Sequence, residues 1–147
     1  MFVARLITGS RLLLGTIFFV FGLDGFLHFL PLPPPTPPAA AFMGALAASG
    51  WVVPLLKATE LGAGVLLLGN RFVPLALALL APIVVNIVGY HAVLEPMGLP
   101  VALLVLVLEL ALAYAYRGAF APMLRARVEP AAVRSLTRLS RPAVAPT

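Results

Sequence analysis

Residues 51 to 69 read "WVVPLLKATELGAGVLLLG", and the fold turns on how two of them are treated. Without Lys57 and Glu60 this is an uninterrupted apolar segment of the length that crosses a bilayer core, which takes roughly 20 residues as a helix. With them it carries a positive and a negative side chain three positions apart, on one helix face. A charge near the middle of a membrane costs on the order of 2.5 to 3.5 kcal/mol on insertion scales, while each leucine contributes only about 0.3 to 0.6. Two charges nearly cancel the insertion free energy of the segment. They are tolerable where they face other helices and pair, or become neutral. The stretch therefore predicts a membrane helix packed among neighbours.

The rest of the chain agrees. Of its 147 residues, 62% are hydrophobic and 10% charged, with a mean hydropathy of +1.08. A soluble domain carries nearer about a quarter charged residues. So large an apolar surplus in a chain of single-domain length has no interior to hide in, which makes lipid its solvent. Cysteine is absent, which excludes disulfides, thiolate metal sites and CxxC redox chemistry on this chain. The net charge of +5 rests on nine arginines and one lysine. The arginines fall in flanks and short connections, a distribution that fits membrane topology and not a nucleic-acid face.

Three further apolar segments are long enough to cross a bilayer, giving spans at about 12–30, 51–69, 72–94 and 99–116. "PLPPPTPP" at 31 to 38 is a proline-rich outer loop that cannot stay helical. "GNR" at 69 to 71 and "EPMGLP" at 95 to 100 are tight turns, and short turns force antiparallel neighbours. Residues 39 to 50, "AAAFMGALAASG", read as a short helix lying at the interface. The fold class expected is all-α: an integral membrane four-helix bundle, up-down and antiparallel. A secretory signal peptide is the rival reading of the first span, but the "AAA" at 39 to 41 lies too far past its apolar core and Asp24 interrupts that core.

Orientation follows from the arginines. With the N-terminus in the cytoplasm, Arg5, Arg11, Arg71, Arg117 and every later arginine fall inside, and both outer loops lack lysine and arginine. Both termini are expected in the cytoplasm, with a membrane domain over 1–120 and a basic tail over 121–147. In the tail, Val133 and Leu136 face one way and Arg134, Arg138 and Arg141 another, as in a basic interfacial helix. Its four prolines make disorder the competing expectation. Trp51, Tyr90, Tyr114 and Tyr116 read as interfacial anchors.

The polar residues inside the spans fall at similar depths. By helix rise, Asp24 and Lys57 lie roughly 9 Å from the outer end, Asn86 and Glu60 roughly 12 to 13 Å, and Glu109 roughly 15 Å, with His28 and His91 within about 5 Å of the surface. Each of the four helices thus contributes to one layer in the outer half. Ala58 and Gly62 make a small-xxx-small pair through which a neighbouring helix could approach. Asp24 and His28 share a face, as do His91 and Glu95. Asp24, Glu60 and Glu109 bring three potential negatives against one Lys57, so at least one carboxyl is expected to be protonated or to face a cation. Asp24, His28, Lys57, Glu60, Asn86, His91 and Glu109 are the candidate residues for ligand binding or proton relay. Structural glue between helices is the plainer role for the same residues.

The combined stretches "FGLDGFLHFLPLP" and "KATELGAGVLLLGNRFVPLALALLAPIVVNIVGYHAVLEP" resemble the DoxX family of small four-helix bacterial membrane proteins, over about residues 5 to 120. Three motifs carry the likeness: a glycine-polar-glycine turn in the first span, Glu-x-x-x-Gly in the second, and Pro-x-x-x-Asn with a following His in the third. Where family members commonly have a lysine shortly after the first-span glycine, this chain has Asp24-Gly25. The resemblance implies a multi-pass protein of the bacterial inner membrane. Because the family includes subunits linked to thiosulfate:quinone oxidation, it also implies a redox or quinone association. A quinone is then the cofactor to expect, with haem between His28 and His91 the less favoured alternative and no metal site. Expected partners are the lipid bilayer and another membrane or redox subunit or a second copy, with no nucleic acid. A scaffold or assembly factor and a small-molecule transporter are the other function classes. The transporter is weakened by the lack of an internal repeat. No phosphate loop, metal-ligand array or nucleophile–base pair appears, so the sequence does not point to a hydrolase or kinase.

Overall fold

The computed structural model describes residues 1–127, so the basic helix expected at 130 to 141 lies outside the described residues. Every regular element among the described residues is helical: α1 (Phe2–Leu27), α2 (Pro37–Ala48), α3 (Val52–Leu68), α4 (Val73–Val93), a single 3₁₀ turn (Pro96–Gly98), α5 (Leu99–Ala115) and α6 (Arg117–Phe120). The chain divides into two compact units, Met1–Arg117 and Gly118–Thr147. Three stretches are long and apolar enough to cross a membrane: Phe2–Leu27, Val73–Val93 and Pro96–Ala115. α3 qualifies only together with α2, from which it is bent by 95°.

Each boundary has a local cause. Pro37 opens α2, where the missing N–H is harmless and the fixed φ suits a first turn. The α3–α4 turn runs through Asn70 and Phe72, both at φ 52°, in the left-handed region that reverses a chain within a few residues. His28 ends α1 in the same region, at φ 50°. Pro74 and Pro100 sit in the first turns of α4 and α5.

Within the first unit, α1 packs on α3, α3 on α4, α4 on α5, and α5 back on α1. The α1–α3 contact is the closest. A Cβ added at Gly64 would meet the Phe19 backbone nitrogen at 2.6 Å, and one at Gly22 would meet the Leu61 nitrogen at 2.6 Å. The two backbones touch there, and only glycine leaves the room. These contacts also set direction, since Gly22 lies against Leu61 and Gly15 against Leu67 and Leu68, so α1 and α3 run antiparallel. Ala58 and Gly62 do not mediate this approach. Gly62 has open space around it and Ala58 is exposed, because they lie on the face turned away from α1.

The first helix differs most from expectation. It starts at Phe2 and not near residue 12, and Arg11 is a buried residue within it and not a flanking anchor. Arg11 Nη1 donates to the carbonyl oxygens of Leu67 and, at 3.2 Å, Leu68. Those carbonyls belong to the last turn of α3, which has no intrahelical donors and carries the negative end of the helix dipole. Arg11 thus fixes where α1 meets α3, and the earlier turns of α1 continue past that point with exposed side chains.

Beside Arg11 the interior is closed. Leu14, Leu67 and Leu112 are 0% exposed and Leu77 is 1% exposed, one from each long helix. Large apolar residues such as Leu75, Val85, Val107 and Leu110 face outward, as expected of helices whose surroundings are lipid.

Candidate functional site

The opposite end, on the α2 side, is hollow. A central cavity of about 170 Å³ is lined from all four long helices, including Phe18, Lys57, Glu60, His91 and Val105. A larger lateral cavity of about 810 Å³ opens between α2, α3 and α4, lined in part by Phe42, Leu46, Pro82, Asn86 and Tyr90. Lys57, Glu60, Ile87 and His91 line both. They form the boundary between the two spaces, and three of the four are polar.

Lys57 and Glu60 form the ion pair expected from their spacing, with Nζ 2.8 Å from Oε2. The side chains are 21% and 4% exposed respectively, so Glu60 is nearly buried at the cavity boundary and Lys57 is the more accessible partner. Gly25 makes this arrangement possible: a Cβ there would fall within the Lys57 side chain. The glycine lets the lysine stem lie against α1.

His91 is held by its own helix end. Its Nδ1 lies 3.0 Å from the Glu95 carbonyl oxygen. A carbonyl can only accept, so Nδ1 carries the hydrogen and Nε2 of the neutral ring is left as an acceptor. Tyr90 packs edge-on against the imidazole with ring centroids 5.0 Å apart, and Phe42 of α2 lies 6.0 Å from Tyr90. Tyr90 is therefore part of the lateral cavity wall. Trp51 and Tyr114, by contrast, are exposed at 64% and 70%, as interfacial anchors would be.

The lateral cavity has two structural causes. Pro82 sits inside α4, where its lack of an N–H frees the Ala78 carbonyl and its ring crowds the preceding turn. Asn86 sends its Nδ2 back to the Pro82 oxygen at 2.8 Å, so its amide serves α4 itself while lining the lateral cavity. The second cause is the tether that holds α2. Thr36 donates its backbone N–H to Glu95 Oε2 at 2.7 Å and its hydroxyl to the Leu94 oxygen at 2.6 Å. The end of the proline loop is thereby pinned to the end of α4, and α2 spans the mouth of the groove.

The seven candidates thus separate. Lys57, Glu60 and His91 come together at the cavity boundary, with Asn86 on the lateral wall. Asp24 and His28 do not join them. Asp24 Oδ1 accepts from the Leu30 N–H at 2.7 Å and its carbonyl accepts from the His28 N–H at 2.7 Å, so the residue closes the end of α1. His28 is exposed and lines neither cavity, so the two histidines do not face a common space in which both could ligate a haem. Glu109 is 4% exposed and lines neither cavity, and its Oε2 has no hydrogen-bond partner among the described residues. Like Asp24, it has no ionic partner among the described residues. His91 and Glu95 do interact, but through the Glu95 carbonyl, leaving its carboxylate for Thr36. The roles of Arg11 and Thr36 have no signal in the sequence, where Arg11 reads as a cytoplasmic flank residue. No group of histidine, aspartate and glutamate side chains among the described residues could hold a metal ion.

Comparison with known protein families, with characterised proteins and with solved structures finds no match.

Proposed function

We propose that this is a multi-pass membrane protein, an up-down bundle of four spans with both termini in the cytoplasm, that binds an isoprenoid-quinone-type ligand in its lateral cavity. The Arg11 end is then the cytoplasmic end and the α2 end the outer one. The observation that carries the ligand reading is the Lys57–Glu60–His91 boundary at the back of a mostly apolar groove. A long apolar tail suits the groove wall and its lateral opening, while a flat oxygen-bearing headgroup suits the boundary. The Lys57 ammonium donates to a quinone carbonyl. The Glu60 carboxylate and His91 Nε2 accept from a quinol hydroxyl. One site can therefore hold both forms. Reduction of such a ligand adds two electrons and two protons, and we assign the electrons to a partner redox subunit. The motif likeness to the DoxX family of bacterial inner-membrane proteins supports the same reading.

Two experiments test it. A reporter fused after Thr147 and active only outside the cytoplasm should stay silent, and activity would reverse the orientation. Purified protein should carry quinone in its lipid extract and label with a photoreactive quinone in a way that an excess of unlabelled quinone suppresses. Lys57→Met should abolish the protected labelling. Equal labelling of native and variant protein would exclude this site. A non-enzymatic scaffold is the second reading, favoured by the open face at Ala58 and Gly62.

A further inference from the structure

The central cavity leads toward a residue that the reading above leaves unused. On α5, Glu109 lies four residues after Val105 and seven after Ala102, both of which line that cavity. This spacing puts the three on one helix face, with Glu109 a single turn beyond the cavity floor. In the other direction the next buried residue of the same face is Leu112, flanked by Leu14, Leu67 and Leu77 at 0 to 1% exposure. These fully buried leucines line neither cavity. The cavity, which has room for several waters, is the open approach.

The charged and titratable groups on the surrounding helices are already engaged. Lys57 and Glu60 of α3 hold each other, Arg11 of α1 holds the α3 carbonyls, and His91 of α4 holds the Glu95 oxygen. None of them bonds to Glu109, whose Oε2 is left alone. An ionised carboxylate there has nothing to replace its lost hydration. A neutral acid carries no charge and has a hydrogen to give.

We propose that Glu109 is a proton-storing carboxyl that exchanges its proton through the central cavity with the Lys57, Glu60 and His91 boundary. This deepens the quinone reading, because a ligand at that boundary would have a proton donor buried behind it. The exchange itself needs no ligand, so it can be measured without one.

The test is infrared spectroscopy of the full-length protein in lipid nanodiscs, free of added quinone, during transfer from H₂O to D₂O. A carboxylic-acid carbonyl band that shifts in D₂O is expected, and Glu109→Gln should remove it. Filling the cavity with Ala102→Leu should slow the shift by about tenfold or more, while Leu103→Phe on the exposed face of α5 should leave the rate unchanged. If Ala102→Leu does not fold, Val105→Phe fills the same space. Absence of the band, its survival in Glu109→Gln, or an unaltered rate in the cavity-filled variant would each overturn the proposal. Failure of quinone labelling alone would leave it standing.

Discussion

The two ends of the helical unit use the same four helices and mostly the same apolar residues, yet one is solid and the other hollow. At the Arg11 end, leucines from every long helix close the centre, and Gly15 seats Leu67 and Leu68 against α1. Toward the α2 end the glycine space is taken up differently. Gly25 accommodates the stem of Lys57, not a neighbouring backbone, and Pro82, inside α4, lines the lateral cavity. The difference shows that apolar composition alone does not fill a membrane-protein interior. Without a strong hydrophobic drive between helices in lipid, close approach depends on small residues, and even the close approach of α1 to α3 at Gly22 and Gly64 leaves a cavity beside it.

The contrast can be broken most severely at Gly64. Leucine there collides with the Phe19 backbone, which cannot move aside, so Gly64→Leu should abolish the folded protein. This is read as loss of a monodisperse peak in detergent. A folded Gly64→Leu protein would mean that α1 and α3 are not held by backbone contact.

Next in size is the ion pair. Lys57→Met strands the buried Glu60 carboxylate, and removing one partner of a buried pair typically costs about 3 to 5 kcal/mol. The lower figure is expected because Lys57 is one-fifth exposed. Adding Glu60→Leu should restore much of that loss while ending any ligand binding. Thermal melts of both variants decide it, and additive losses would mean that the two side chains do not interact. The smallest effect is expected at Gly62, whose surroundings are open. Gly62→Leu should shift stability by no more than about 0.5 kcal/mol, as surface changes usually do. A large loss there would place a partner on the scaffold face.

The helices were legible because their signals are local. Apolar length marks each long helix, and prolines, glycines and tight turns mark the ends, so α3, α4 and α5 fall within a residue or so of expectation. The site was legible in part. Lys57 and Glu60 share a face by spacing alone, whereas helix rise sets His91 nearer the surface than the cavity boundary it lines with them. Asp24 misled because depth says nothing about rotation around the helix axis or about competing backbone donors, and the Leu30 N–H claims its carboxylate. Arg11 misled for the opposite reason. An arginine near a helix end ordinarily snorkels outward, and here the last-turn carbonyls of a helix distant in sequence turn it inward.

The contact between α1 and α3 also bears on the order in which the protein is made. As the chain leaves the ribosome, α1 emerges with its glycine face uncovered and Arg11 without carbonyls to hold. α3 follows only after the proline loop and α2, and on its own it falls short of a membrane-crossing helix. Its two charges make it the segment least able to partition into lipid alone. α1 is therefore already resident as a docking strip when α3 arrives, and it supplies the surface against which Lys57 and Glu60 can turn inward. The α4–α5 hairpin, whose helices carry no charge but Glu109 and whose turn carries only Glu95, needs no such escort and closes the assembly last.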